Sequence, residues 1–262
     1  MRILTWNINS VRLRAPIVQR MISELNPDVV CLQETKCPDD VFPHDAFHTF
    51  GLKHQHIHGM KSYNGVCILS RRPFENAVCH NRVNKTDCRH ISVTLDGIDI
   101  HNIYIPAGGD IPDPAENDKF AHKLDFVDDL TNWFPQNYQA DQKLVVAGDF
   151  NIAPMEQDVW SHKQLLDVVS HTPIEVDKLN AFQSSLDWVD AVRHFVPEDQ
   201  KCYTWWSYRN RDWQKSNRGR RLDHIWVTRP LQKSLKSHHI FRDARNWDKP
   251  SDHVPVMVEI KT

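Results

Sequence analysis

The sequence predicts a mixed α/β fold in which helices cover packed sheets. Three observations carry this. The chain opens on a β-α-β unit, later strands pair through a local hairpin signal, and helical periodicity occurs in both halves. No Ser/Gly-rich linker, low-complexity tract or compositional shift divides the 262 residues, so residues 1–262 read as one domain with a full core.

Residues 2–7 form the first expected strand. Pro16 is suited to the first turn of a helix whose Ile17, Met21 and Leu25 share a face, and Asn26-Pro27 stops it. Residues 28–33 give the second strand, and 53–58 and 64–70 two more. Runs at 90–95 and 98–105 flank Asp96-Gly97, a hairpin signal. After a polar loop from Pro106 to Pro114, Phe120, Leu124, Val127 and Phe134 recur at helical spacing. Residues 143–148 read as a strand, 173–195 mainly as helix, and 203–208, 222–227, 236–241 and 254–260 as closing strands.

Composition excludes little. The chain is 40% hydrophobic and 25% charged, with a net charge of -2, which by itself suggests no polyanionic partner. Charge is nevertheless local: Arg209, Arg211, Lys215, Arg218, Arg220 and Arg221 crowd one stretch, opposed only by Asp212. Six cysteines form no CxxC pair, which disfavours zinc or thioredoxin chemistry. No apolar run reaches membrane-spanning length, and the expectation is a soluble, cytoplasmic protein with no membrane partner.

The chemistry gathers where hydrophobic runs stop. Asn7, Glu34, Asp149 with Asn151, Asp223, and Asp252 with His253 each stand at the end of an expected strand or the start of one. Such residues converge at one edge of a sheet. Oxygen ligands suit Mg²⁺ or Mn²⁺, and a carboxylate beside an imidazole suits proton transfer, which points to a metal-dependent hydrolase. Each residue also has a plainer role open to it. Asp149 and Asn151 fit either water activation or an Asx-turn, Glu34 either a metal ligand or a loop acid beside Lys36, and Asn7 and Asn9 either site groups or turn residues. Asp223 can orient His253, but sixteen histidines make any one of them a weak signal. Tyr203-Thr204-Trp205-Trp206 ahead of the basic stretch fits either a nucleic-acid groove or a core strand.

Together the segments resemble the exonuclease III family of Mg²⁺-dependent apurinic/apyrimidinic endonucleases. The matching pieces are Trp6-Asn7-Ile8-Asn9, Leu32-Gln33-Glu34-Thr35-Lys36, Asn102-Ile103-Tyr104-Ile105-Pro106, Gly148-Asp149-Phe150-Asn151-Ile152, Tyr203-Thr204-Trp205-Trp206, Arg221-Leu222-Asp223 and Ser251-Asp252-His253. They occur in family order across residues 6 to 253. The resemblance implies a four-layered α/β sandwich, two packed mixed sheets flanked by helices. It implies Mg²⁺, with Mn²⁺ as a substitute, held by Glu34 with Asn7 and Asp252, and supported by Asn9 and Lys36. It implies catalysis by Tyr104, Asp149, Asn151, Asp223 and His253. DNA contact falls to Trp205 and to Arg209, Arg211, Lys215, Arg218, Arg220 and Arg221.

The implied activity is DNA-repair cleavage 5′ to abasic sites, with 3′-5′ exonuclease and 3′-end-cleaning activity. The implied partner is double-stranded DNA with abasic sites or damaged 3′ ends, met by a monomer. Two rival readings are a superfamily phosphodiesterase acting on RNA, lipid or inositol phosphate, and a DNA-binding protein without catalysis. The rings and cations of 203–221 argue against the first, and the strand-end carboxylates against the second. Three departures from family pattern are Ala107-Gly108-Gly109, where many relatives place Asn or Gln, Asn9, where some place Asp, and Arg220, where some eukaryotic relatives carry Trp.

Overall fold

The computed structural model describes residues 1–262. Its strands are β1 (Arg2–Asn7), β2 (Val29–Gln33), β3 (His54–His58), β4 (Val66–Ser70), β5 (Asn76–Arg82), β6 (Lys85–Leu95) and β7 (Ile98–Tyr104) in the first half. They continue as β8 (Leu144–Asp149), β9 (Val189–Asp190), β10 (Trp205–Trp206), β11 (Gly219–Arg220), β12 (Asp223–Val227), β13 (Leu235–Ile240) and β14 (Val256–Ile260). The helices that matter here are α1 (Val11–Leu25), α2 (His44–His48), α3 (Asp118–Asn137), α4 (His162–Leu165) and α5 (Pro173–Ser185).

Two six-stranded sheets form, in the orders β13-β14-β1-β2-β4-β3 and β5-β6-β7-β8-β12-β9. Both are mixed: β1 runs parallel to β2 and antiparallel to β14, and β7 runs parallel to β8. Strands buried on both faces read as unbroken apolar runs, and alternation then decides which layer each residue serves. Ile3, Val29, Cys31 and Ile68 of one sheet meet Ile91, Ile100, Val145 and Ile225 of the other in the central core. Their neighbours Leu4, Val30 and Leu32 face outward against Val18, Met21 and Phe47 of α1 and α2. On the far side Ile103, Val146 and Trp226 pack against Phe126, Leu130 and Phe134 of α3 and Phe182 of α5. The result is the four-layered α/β sandwich that the resemblance implied.

Four local expectations need correction. Helix α1 starts at Val11, and Pro16 lies inside it. Its start is fixed by Ser10 and Val11 backbone N–H groups donating to the carbonyls of Glu34 and Thr35 (2.7 and 3.0 Å), contacts that local sequence does not announce. The run 173–195 stops being helical at Ser185 and gives β9 instead. Within 203–208 only Trp205 and Trp206 are extended in a ladder. Strand β5 was not foreseen, because an edge strand with mostly exposed residues lacks an apolar signature.

Three histidines on neighbouring strands β5, β6 and β7 lie together beneath Trp133. The His80 and His90 rings lie tilted at 32° with centroids 4.3 Å apart, and His90 Nε2 pairs with His101 Nδ1 at 2.9 Å. The ring nitrogens already have protein partners: Arg82 Nε donates to His90 Nδ1 (3.0 Å), and His80 Nε2 pairs with Ser92 Oγ (2.8 Å). Burial also lowers the pKa of all three, making the layer neutral packing.

Candidate active site

Strand register brings the polar residues together. Parallel pairing sets Tyr104 of β7 beside Asp149 of β8, and antiparallel pairing sets Asp223 of β12 on the other side of Asp149. In the other sheet Asn7 ends β1 beside Gln33, so Glu34 follows directly. A bridge between Trp205 and His253 adds the segment before β14.

One amide joins the two sheets. Asn7 Nδ2 donates to Glu34 Oε1 (2.9 Å) and Asp149 Oδ2 (2.8 Å), while its Oδ1 accepts from the Asn9 backbone N–H (3.1 Å). The amide thus supplies a donor between two buried carboxylates that would otherwise repel. Tyr104 O–H donates to Glu34 Oε1 (2.8 Å), and Lys36 Nζ bridges Glu34 Oε2 and Asn9 Oδ1, both at 2.7 Å. Asn9 Nδ2 reaches Asp252 Oδ1 (3.3 Å), and Trp205 Nε1–H donates to Asp252 Oδ2 (2.9 Å).

Asp149 is the centre of the set. It accepts from the Asn151 backbone N–H (2.9 Å) and from Asn151 Nδ2 (3.2 Å), and its Oδ2 stands 3.7 Å from His253 Nε2. His253 Nδ1 donates to Asp223 Oδ2 at 2.9 Å, and Thr204 Oγ1 donates to the same oxygen at 2.6 Å. Burial raises the Asp149 pKa to about 7, with Asp223 and Glu34 adding repulsion and His253 opposing. For His253 burial works downward, but the charges of Asp223 and Asp149 outweigh it and lift the pKa to about 10. Burial also acts against ionised Glu34, yet the Lys36 charge and three hydrogen bonds leave its pKa lowered. Burial and neighbouring carboxylates push the Tyr104 pKa well up, so its hydroxyl stays a donor.

The backbone here is unusual. Asn9, Ser10, Glu34, Lys36 and Asn151 all have left-handed φ, between 47° and 88°, without being glycine. Such residues cost about 1–3 kcal/mol each and persist where surrounding structure over-determines them.

Above this floor lies a cavity of about 840 Å³, lined by Glu34, Asn151, Asp252, His253, Trp205 and Arg220 among others. Arg218 sits 4.6 Å over the Trp160 ring and Arg220 5.3 Å over Trp205. Arg220 is anchored by bonds to the Val169 carbonyl (2.9 Å) and Ser170 Oγ (2.7 Å). Arg209 and Arg218 are exposed cations on the cavity wall, and Arg211 and Lys215 are exposed outside it.

Arg221 is a correction. Its guanidinium is fully buried, held by Asp158 (2.8 and 2.9 Å) and Asp190 (2.6 Å). A cation so enclosed cannot meet a phosphate, and both aspartates would have to be abandoned first. Thr204, which seats Asp223, and Trp160 were missed. Thr204 lay inside a segment read for its aromatics, and the carboxylate it donates to lies nineteen residues away.

Comparison with known proteins places this geometry. The model of the endonuclease/exonuclease/phosphatase family matches residues 4–253. The exodeoxyribonuclease III of Haemophilus influenzae is 28% identical, with 100% of both chains covered. Among solved structures, an AP endonuclease from Archaeoglobus fulgidus superposes with a TM-score of 0.93 at 30% identity, covering 100% of each chain. A 3′ phosphatase from Neisseria bound to a product DNA hairpin gives 0.91 at 31% identity, again over 100% of each.

Proposed function

The chain belongs to the endonuclease/exonuclease/phosphatase family, and from that premise we propose a metal-dependent DNA-repair phosphodiesterase of the exonuclease III and AP-endonuclease type. Residues 1–262 act as one catalytic domain and as a monomer. The substrate is duplex DNA, cut 5′ to an abasic site to leave a 3′-hydroxyl and a 5′-deoxyribose phosphate. Removal of 3′ nucleotides and 3′ blocking groups uses the same site. The names of the relatives, an exodeoxyribonuclease, an AP endonuclease and a 3′ phosphatase, support this range. No helix is long and apolar enough to cross a membrane.

The carrying observation is the setting of Asp149. One buried carboxylate is aimed by two amides toward an imidazolium that a second carboxylate holds from behind. Asp149 takes the proton of the attacking water, and Asn151 and Asn7 fix its oxygens. His253, charged and oriented by Asp223, opposes the negative charge that builds on the phosphate as the 3′-oxygen leaves. Tyr104 donates from the side, and the exposed cations Arg209 and Arg218 meet the backbone.

The donor set fits a hard divalent cation. Glu34 and Asp252 bring carboxylate oxygens to the cavity floor without sulfur, as Mg²⁺ or Mn²⁺ prefers. Asp149, Asp223 and His253 also cluster within 4.8 Å, but His253 Nδ1 is engaged by Asp223 and Asp149 by Asn7 and Asn151, whereas Glu34 and Asp252 line the open cavity. When bound, the ion supplies charge neutralisation at the phosphoryl oxygens.

The test is a duplex with one stable abasic analogue, incubated with Mg²⁺ or with chelator and resolved on a gel. Asp149→Asn is expected to lose at least about 10² in single-turnover rate while DNA binding holds or tightens. Full cleavage in excess chelator, or near-normal turnover in Asp149→Asn, would overturn the reading.

A further inference from the structure

Behind the cavity floor, Lys123 of α3 and Glu175 of α5 form an ion pair with both side chains 0% exposed. Stability alone is a poor reason for such a pair, since apolar residues of similar volume commonly serve as well or better. Helix capping does not explain its charge either. Glu175 is the third residue of α5 and closes a capping box with Thr172, a task that a neutral Gln also performs.

The remaining bonds show what the pair holds. Glu175 accepts from the Ser170 backbone N–H (2.8 Å), the Thr172 N–H (3.1 Å) and Thr172 Oγ1 (2.7 Å), so its position is fixed. Lys123 Nζ then donates to the carbonyls of Asn151 (2.8 Å) and Ala107 (3.3 Å). With Glu175 these account for the three ammonium protons. The two carbonyls belong to the loops that follow β8 and β7, which bound the cavity. Asn151 is also one of the left-handed residues, and its own side chain aims Asp149. Gly108 closes over the lysine stem, where an added Cβ would lie 2.9 Å from Lys123 Cδ.

We propose that Lys123, oriented by Glu175, is a positioning residue that locks the Asn151 backbone and the Ala107–Gly108 loop together and so sets the aim of the Asp149 carboxylate. This rests on Asp149 and Asn151 being the water-activating pair. Neither Lys123 nor Glu175 touches DNA or the attacking water.

The test uses Lys123→Met/Glu175→Met, which removes both charges at similar volume, and Glu175→Gln, whose single amide oxygen can keep the Thr172 cap while its NH₂ replaces the acceptor of Lys123. The double variant is expected to bind the abasic duplex as the parent does and to leave KM unchanged. Its single-turnover rate should fall by about 10- to 100-fold, the usual consequence of a misplaced reacting group. Its acid limb should move to higher pH as Asp149 loses well-aimed donors. Glu175→Gln should lose less, about 3- to 10-fold, at a lower melting temperature because buried Lys123 loses its carboxylate. A parent rate and parent pH profile in either folded variant would reduce the pair to packing and overturn the proposal. If the double variant does not fold, Glu175→Gln decides alone. An unmodified chain that fails to cut the duplex would instead sink the Asp149 reading itself.

Discussion

Changing Asp223 to Asn removes a charge from behind His253 while leaving its hydrogen bonds available. Both His253 Nδ1 and Thr204 Oγ1 bond the same oxygen, Oδ2, and Oδ1 is buried without a partner. An Asn with its oxygen in the Oδ2 place keeps both bonds and puts its NH₂ where Oδ1 stood, so the variant isolates electrostatics from geometry. His253 has a pKa of about 10 and must be protonated to oppose phosphate charge, so activity falls as pH rises through that value. An opposite charge at this range is worth about 1–3 units, and losing about 2 would bring the imidazole to roughly 8. At about pH 9.5 the protonated fraction then drops from roughly three-quarters to roughly 3%, a loss near 25-fold, whereas near neutrality the loss is small. Asp223 also raises the Asp149 pKa, so Asp149, which must be ionised to act, should serve at lower pH in the variant. The whole bell should therefore slide toward acid. Single-turnover rates on the stable abasic duplex across about pH 5.5 to 10.5 would trace both limbs as macroscopic values. An alkaline limb that stays in place, with an unchanged melting temperature, would refute the claim that Asp223 sets the charge of His253.

Glu34→Gln should raise the Mg²⁺ concentration for half-maximal cleavage, and Mg²⁺ or Mn²⁺ should restore the chelated parent; an unaltered metal titration would remove Glu34 from the metal site. Arg221→Ala leaves Asp190 without its cation and Asp158 with Arg193 alone, and should cost about 3–5 kcal/mol of stability in denaturant melts. By contrast, Arg209→Ala with Arg218→Ala should leave stability intact and lower the log–log salt slope of DNA binding by about 0.9 per lost contact. Trp205→Phe keeps an aromatic ring but deletes the bond to Asp252, a charge-assisted contact worth about 1.5–3 kcal/mol, so roughly 10- to 100-fold more metal should be needed with little change in DNA affinity. Equal metal requirements in variant and parent would mean that Asp252 does not depend on this bond.

The layered fold was legible because buried strands carry unbroken apolar runs and their polar ends carry the chemistry. Asp149, Asn151, Asp223 and His253 could be paired from sequence only because each sits at such an end. What was not legible was set by distant partners. Arg221 looks like its neighbours Arg218 and Arg220 until Asp158 and Asp190, 63 and 31 residues away, enclose it. The direction of the Asn7 amide depends on carboxylates 27 and 142 residues along the chain. Lys123 sits among the apolar positions of α3 as an ordinary polar residue, although Thr172-Pro173-Ile174-Glu175 did display a capping signature beside a proline. Strand β5 carried no periodicity to read, since little of it is buried.

Strand β1 lies between β2 and β14, so the first strand of the chain waits for the last. The Trp6 indole N–H bonds the His253 carbonyl, and Ser251 Oγ bonds the Asn7 carbonyl, across almost the whole sequence. Pairings this remote close late, because the entropy of so large a loop is spent before any contact repays it. During synthesis, therefore, a growing chain can already hold Glu34 and Asp149 and still have no imidazole facing them. A fragment ending at Ile240, assayed beside the whole chain, is expected to leave the duplex uncut even where its early strands show protected amides in hydrogen exchange. A chain that stops before His253 then presents a bare β1 edge and an incomplete site, so the capacity to cut DNA arrives only with the segment that pairs with β1.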